Sequence, residues 1–285
     1  MAKFLFLTDT HIGASPIGFH QQPAYPEHME QLIQEIKKLA EQGEIDFVLH
    51  GGDMVDKCTE ETLKEAARLF DLPVPVYLSL GNHDLDCEDA LDKWLRITPQ
   101  FFIGNKPQYT IDGGDCFIHV VPNQWEPGYS YYWKSAQDVF FEEDQLLQLD
   151  SALEKYRHQP QLLSIHNPIY GVPMEQSGKD QIIHGVSDEF SKLVLGRLSR
   201  FPSIKGVLSG HNHINTLKQT EQGVFVTGSA FSETPFEYKI VELTQHSLSV
   251  ETRTLSIPVS FEPVYNEEKS YVQGQEQHRA CTWRF

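Results

Sequence analysis

The sequence predicts a layered α/β fold in which two β-sheets pack together with helices outside. Three observations carry this. Short apolar runs rich in β-branched and aromatic residues alternate with helical patterns in the first half. The second half is richer in strand-like runs. Polar clusters follow directly on several of those runs, where α/β sheets place their ligands.

Taken in order, Phe4 to Leu7 reads as a buried strand. Residues 28–40 set Met29, Leu32, Ile33, Ile36, Leu39 and Ala40 at helical spacing. Phe47-Val48-Leu49 is the next buried strand. A second helix covers 59–70, with Thr59 as N-cap and Glu60 and Glu61 in its first turn. Val74 to Leu80 gives a third strand, and 88–96 a short helix. This β-α-β-α-β order calls for parallel strands with helices on the faces.

Cys116 to Val121 and Leu162 to Ile165 read as strands of a second sheet. Residues 142–157 form a helix with Leu146, Leu149, Leu153 and Tyr156 inward. Residues 187–200 form another, with Phe190, Leu193, Val194 and Leu198 inward. Val207-Leu208, Val224 to Val226, Tyr238 to Leu243 and Leu248 to Thr254 follow as further strands of that second half, the last two a hairpin across 244–247. No repeat, low-complexity segment or linker interrupts the chain. One domain over 1–256 is expected, followed by an irregular, polar extension over 257–285.

A chain of 285 residues can bury a sizeable core. Its 40 acidic against 23 basic residues give a net charge of −17. Such a surface repels a phosphate backbone unless basic residues cluster, and no basic run is present, which argues against nucleic acid as a partner. The four cysteines form no CxxC pair and read as ordinary reduced thiols. Residues 3–7 are too short for the apolar part of a secretory leader. No apolar stretch reaches the roughly 20 residues that a membrane span needs. A cytoplasmic protein is expected, monomeric or oligomeric.

The chemistry lies in five polar clusters, each directly after a predicted strand. They are Asp9-Thr10-His11, Gly51-Gly52-Asp53, Gly81-Asn82-His83-Asp84, His166-Asn167-Pro168 and Gly210-His211-Asn212-His213. Imidazoles and carboxylates suit Zn²⁺, Fe and Mn²⁺. On extended backbone Asp9 and His11 point to the same side, as do His211 and His213. Asp53 is the candidate carboxylate to bridge two ions, with Gly51 and Gly52 allowing close approach. Asn82 offers a neutral oxygen.

The set resembles the calcineurin-like metallophosphoesterase superfamily, whose blocks are DxH, GD, GNHD, a single His and GHxH. All five are present between residues 9 and 213. The resemblance implies a four-layer α/β/β/α sandwich and two ions about 3.5–4 Å apart. It implies that Asp9, His11 and His213 hold one ion, that Asn82, His166 and His211 hold the other, and that Asp53 bridges them. The ions would be Mn, Fe or Zn. A hydroxide bridging them would attack phosphorus in line. The resemblance gives His83 the part of stabilising the transition state or protonating the leaving oxygen. Asp84, next to it, either orients His83 by a hydrogen bond or caps the turn with its carboxylate.

The layout looks most like bacterial cyclic-nucleotide and glycerophosphodiester phosphodiesterases, which often carry a second histidine where Asn167 stands here. A small phosphodiester is the expected substrate. No arginine adjoins the clusters to clamp the extra charge of a monoester, although a phosphomonoesterase is the main alternative. A nuclease and a scaffold that only binds protein are the others. His20 and His184 are candidate substrate contacts. His20 lies in a loop with Pro16, Pro23 and Pro26 that borders the site. His28 reads as a surface histidine of the same stretch. His50 is expected to be buried beside the site without binding metal, and His119 to be a core residue. Tyr129, Tyr131, Tyr132 and Trp133 form an aromatic loop that could wall the site or pack on a neighbour.

Overall fold

The computed structural model describes residues 1–285 apart from 16–17, 25–27, 256–259 and 261–263. In chain order the elements are β1 (Ala2–Leu7), α1 (Met29–Glu41), β2 (Val48–His50), α2 (Glu60–Leu69), β3 (Val76–Leu78), α3 (Ala90–Ile97), β4 (Tyr109–Asp112) and β5 (Phe117–Val120). Then come α4 (Glu143–Lys155), β6 (Gln161–Ser164), α5 (Met174–Ser177), α6 (Asp188–Arg200), β7 (Ile204–Ser209), β8 (Thr216–Gln219), β9 (Val224–Thr227), β10 (Glu237–Leu243), β11 (Ser247–Thr254) and β12 (Ala280–Arg284). They build two mixed sheets with strand orders β12-β11-β10-β1-β2-β3 and β4-β5-β6-β7-β9-β8. Helices flank the pair, giving the four-layer α/β/β/α sandwich.

Each sheet has a parallel centre. In the first, β1 pairs with β2 and β2 with β3 in parallel. In the second, β5, β6, β7 and β9 are parallel neighbours. Parallel neighbours require crossovers, and α1, α2, α4 and α6 fall in those connections. Strands covered on both faces read as continuous apolar runs, as Phe4 to Leu7 does. A contiguous core joins Phe4, Val48 and Val241 of one sheet to Ile118, Leu162 and Val207 of the other. Fully burying one such side chain contributes roughly 1.5–3 kcal/mol.

Two expectations change. The hairpin β10–β11 does not stay with the second sheet. It returns to pair antiparallel with β1, whose outer edge would otherwise be bare. The segment after 256 is not wholly irregular, because β12 extends the first sheet along β11. Just before it, Val272 O accepts from Asn215 N at 2.8 Å, and Asn266 O from Gln21 Nε2 at 3.0 Å. The expected boundary at 256/257 lies outside the described residues, as do Pro16 and Pro26.

Candidate metal centre

Five connections at the carboxyl ends of strands of both sheets meet at one edge of the sandwich. β1 leads to Asp9 and His11, β2 to Asp53, and β3 to Asn82. β6 leads to His166, and β7 to His211 and His213. The extended-backbone expectation needs correcting, because the ligand residues converge through left-handed turns. Asp9, His11, Asp53, His211 and His213 have φ of 57°, 44°, 52°, 70° and 58°. Non-glycine residues rarely adopt such values, and they persist where the surrounding structure compels them. Glycines make the approach possible. A Cβ on Gly52 would lie 2.2 Å from His166 Nδ1, and one on Gly81 2.3 Å from Asp53 Oδ1.

Two of the resulting groups hold the predicted ligands: Asp9, His11 and His213 form one, and Asp53, His166 and His211 the other, while a third joins His11 to Asp56 and His83. In the first, His213 Nε2 is 3.3 Å from Asp9 Oδ1 and 3.1 Å from His11 Nε2. In the second, His166 Nε2 is 3.2 Å from Asp53 Oδ2, and His211 Nδ1 is 3.0 Å from Asn82 Oδ1. Asp53 also reaches the first group, its Oδ2 lying 3.9 Å from His11 Nε2. The sequence-predicted ligand residues are thus all brought together, with Asp53 between the two groups. All are buried except His211, which is partly exposed.

The donors fit a cation. His166 Nδ1–H donates to Gly51 O at 2.9 Å, which leaves Nε2 buried with no hydrogen-bond partner and facing a carboxylate. His213 Nδ1 is buried and unpartnered too. Without a cation, protons take its place. Burial pushes Asp9 up, but His213 and His166 outweigh it and hold its carboxyl at about 2. Burial pushes His166 down, but Asp53 and Asp9 outweigh it and lift the imidazole to about 9. Desolvation, and then neighbouring His166, push the imidazole of His211 down to about 3. Asp9 and Asp53 stay ionised and draw a proton onto His166, a demand for positive charge that metal ions would meet.

The centre floors an open cleft of about 290 Å³ lined by Phe19, His20, His83, Trp133, His184 and His213 among others. His20 and His184 both line it, 6.4 Å apart between ring centres. Of the aromatic loop, Trp133 reaches the cleft, 5.2 Å from the His83 ring. Tyr129 and Tyr132 pack on each other at 5.8 Å. His50 is buried and bonded to Thr10 Oγ1 at 3.0 Å, outside both ligand groups. His119 is a core residue of β5. His28 stands at the N-cap of α1.

The expected orienting bond from Asp84 to His83 is not made. Asp84 is fully buried, and its two oxygens accept from Val55 N at 3.1 Å and Gly81 N at 2.9 Å. It shapes the Gly81-Asn82 turn. His83 Nδ1–H instead donates to Asp56 O at 3.0 Å, and Asp56 Oδ1 lies 3.6 Å from the same nitrogen. The same Asp56 Oδ1 is 3.4 Å from His11 Nδ1. Asp56 thus backs a candidate ligand and a cleft histidine together. Its position three residues after Asp53 gave no periodic signal. Phe19 was also missed. Its ring lies 4.5 Å from that of His213. Glu233 holds it there by accepting from the backbone N–H groups of Phe19, His20 and Gln21.

The chain belongs to the calcineurin-like phosphoesterase family, whose profile matches residues 2–215. A curated relative, the glycerophosphodiester phosphodiesterase GpdQ of Enterobacter lignolyticus (strain SCF1), is 26% identical over 186 residues, covering 64% of this chain. The match spans 61% of the relative's own length. Among solved structures, a dimetal phosphatase from Danio rerio superposes with a TM-score of 0.70 at 14% identity, covering 89% of this chain and 96% of that one. GAP50, the anchor in the inner membrane complex of Plasmodium, superposes with a TM-score of 0.56 at 12% identity, covering 97% and 93%. At such identities the likeness establishes the fold alone. No helix among the described residues is long and apolar enough to cross a membrane.

Proposed function

We infer that this chain is a two-metal phosphodiesterase acting on small phosphate diesters. One observation carries the reading: two groups of buried ligand atoms with Asp53 between them, at the floor of an open cleft. Asp9, His11 and His213 would hold one ion, and Asn82, His166 and His211 the other. Bound cations supply Lewis acidity to the phosphoryl oxygens and lower the pKa of water.

The chain's own residues set the rest. Gly51 O fixes the tautomer of His166, so that Nε2 presents its lone pair. Asp56 O holds the Nδ1 proton of His83, which leaves Nε2 to exchange a proton with a leaving oxygen. Phe19 and Trp133 narrow the cleft and reduce its water. No arginine or lysine lines this cleft, and a diester, with one negative charge on its phosphate, needs less clamping than a monoester. That observation favours the diester over the monoester. None of the four cysteines is paired, which supports a reducing, cytoplasmic setting.

The test compares bis-p-nitrophenyl phosphate with p-nitrophenyl phosphate on manganese-loaded protein. Preference for the diester is expected. Preference for the monoester would overturn the diester reading, and loss of neither activity on chelation would overturn the metal centre.

A further inference from the structure

Phe19 and Trp133 reach the metal cleft on two loops that are pinned in the same way. Glu233, buried in the fold, accepts from the backbone N–H groups of Phe19, His20 and Gln21. Glu126 accepts from those of Lys134, Ser135 and Ala136 at 3.0, 3.0 and 3.1 Å. The Trp133 backbone N–H donates to Leu85 O at 2.7 Å, which ties the second loop to the turn that carries His83. Gly18 closes the first loop where no side chain fits, since a Cβ there would lie 1.9 Å from Gln21 O. Both rings are therefore held before a ligand arrives, and groups fixed in advance lose little freedom on binding.

What the rings offer is aromatic surface. Phe19 is 48% exposed, although its ring centre lies 4.5 Å from that of His213 and 5.0 Å from that of His11. Trp133 is half-buried, and its one polar side-chain atom is committed, Nε1–H donating to Ala136 O at 3.0 Å. Both rings adjoin His83, Trp133 at 5.2 Å and Phe19 at 6.3 Å between centres. A phosphate seated on the candidate ligands would thus have its ester groups beside Phe19 and Trp133. The contacts already present are edge-on, Phe19 standing at 79° to His213 and 82° to His83. Ring pairs of this kind attract one another beyond what burial alone supplies, a gain that a saturated ester group cannot make.

We propose that Phe19 and Trp133 are specificity-determining residues that select phosphate diesters whose ester groups are flat aromatic or heteroaromatic rings. This selectivity rests on the diester reading of the same cleft and names its substrate class.

Diphenyl phosphate and dicyclohexyl phosphate test it. They carry the same charge and the same number of carbon atoms, and differ in flatness and π-surface. Calorimetric titration into the manganese-loaded full chain gives both affinities without turnover. Diphenyl phosphate is expected to bind about tenfold more tightly. Phe19→Leu and Trp133→Leu keep an apolar side chain and remove the ring. Each should lower the ratio about threefold, and the double variant should bring it to about one. The ratio is internal to each variant, so a general loss of metal weakens both diesters alike. Equal binding of the two by the wild type would overturn the selectivity and leave the diester reading standing. A ratio that survives the double variant would overturn the assignment to these two residues. Binding of neither diester would overturn the selectivity and the diester reading together. The expected ratio, its loss in the double variant and no hydrolysis of bis-p-nitrophenyl phosphate would support ring recognition and remove only the diester chemistry.

Discussion

Asp53→Asn keeps the side chain's size and removes the negative charge that lies between the two ligand groups. On the proposed two-metal reading, bound manganese, counted by mass spectrometry, should fall from two ions per chain to one or none, and diester hydrolysis by about 100-fold or more. Unchanged manganese would sink the bridging assignment. His83→Ala keeps the backbone N–H that donates to Asp53 Oδ1. It should lower turnover by about 100-fold or more while manganese stays at the wild-type level. Loss of the metal instead would make His83 a ligand. Asp56→Asn tests the contact that sequence did not offer. Because its carboxylate backs His11, the variant should bind manganese about tenfold more weakly. The contrast explains what was readable at this scale. The candidate ligand residues stand directly after strands, where chain order alone brings them to one edge. Asp56 and Phe19 act through contacts between loops distant in sequence, as does the Asp84 carboxylate, whose amide partners come from Val55 and Gly81. No periodicity encodes those contacts.

At the scale of elements, legibility followed length and burial. α1, α2, α4 and α6 stood out because each turns a row of apolar side chains inward over three turns or so. β1, β5, β6 and β9 stood out as continuous apolar runs, fully or almost fully buried. β4, β8 and β12 did not. They lie at sheet edges, and an edge strand needs no continuous apolar run. β12 alternates exposed and half-buried residues over Ala280–Arg284, which resembles a polar tail until its partner β11 is known. Its contribution can be measured. Deleting residues 280–285 would bare the β11 edge and uncover half-buried Trp283. The melting temperature should fall by several degrees, and light scattering should show concentration-dependent association. A truncated chain as stable and monodisperse as the full one would mean that β12 adds nothing to the sheet.

For the whole molecule, two effects of acid oppose each other. A chain with net charge −17 repels itself at neutral pH, and protonating its carboxylates relieves that repulsion. His119 works the other way. It lies in the core of β5, between Thr110 Oγ1 at 2.9 Å and Gln161 Oε1 at 2.6 Å. Burial pushes its imidazole down to about 4, against the smaller opposing effect of the Gln161 bond. The unfolded chain takes up that proton near pH 6.5, while the folded chain resists until about pH 4. The unfolded state therefore binds more protons between those values. The stability His119 contributes is complete above the unfolded pKa and is lost as pH falls from 6.5 towards 4. The full loss amounts to about 3 kcal/mol. His119→Gln keeps a hydrogen-bonding group in place and removes the titration. Urea unfolding at pH 7.5 and pH 5 should show the variant losing less stability on acidification than the wild type, by about 2 kcal/mol at pH 5. If both proteins lose the same amount, the imidazole titrates alike folded and unfolded, and the acid response belongs to the surface charge instead.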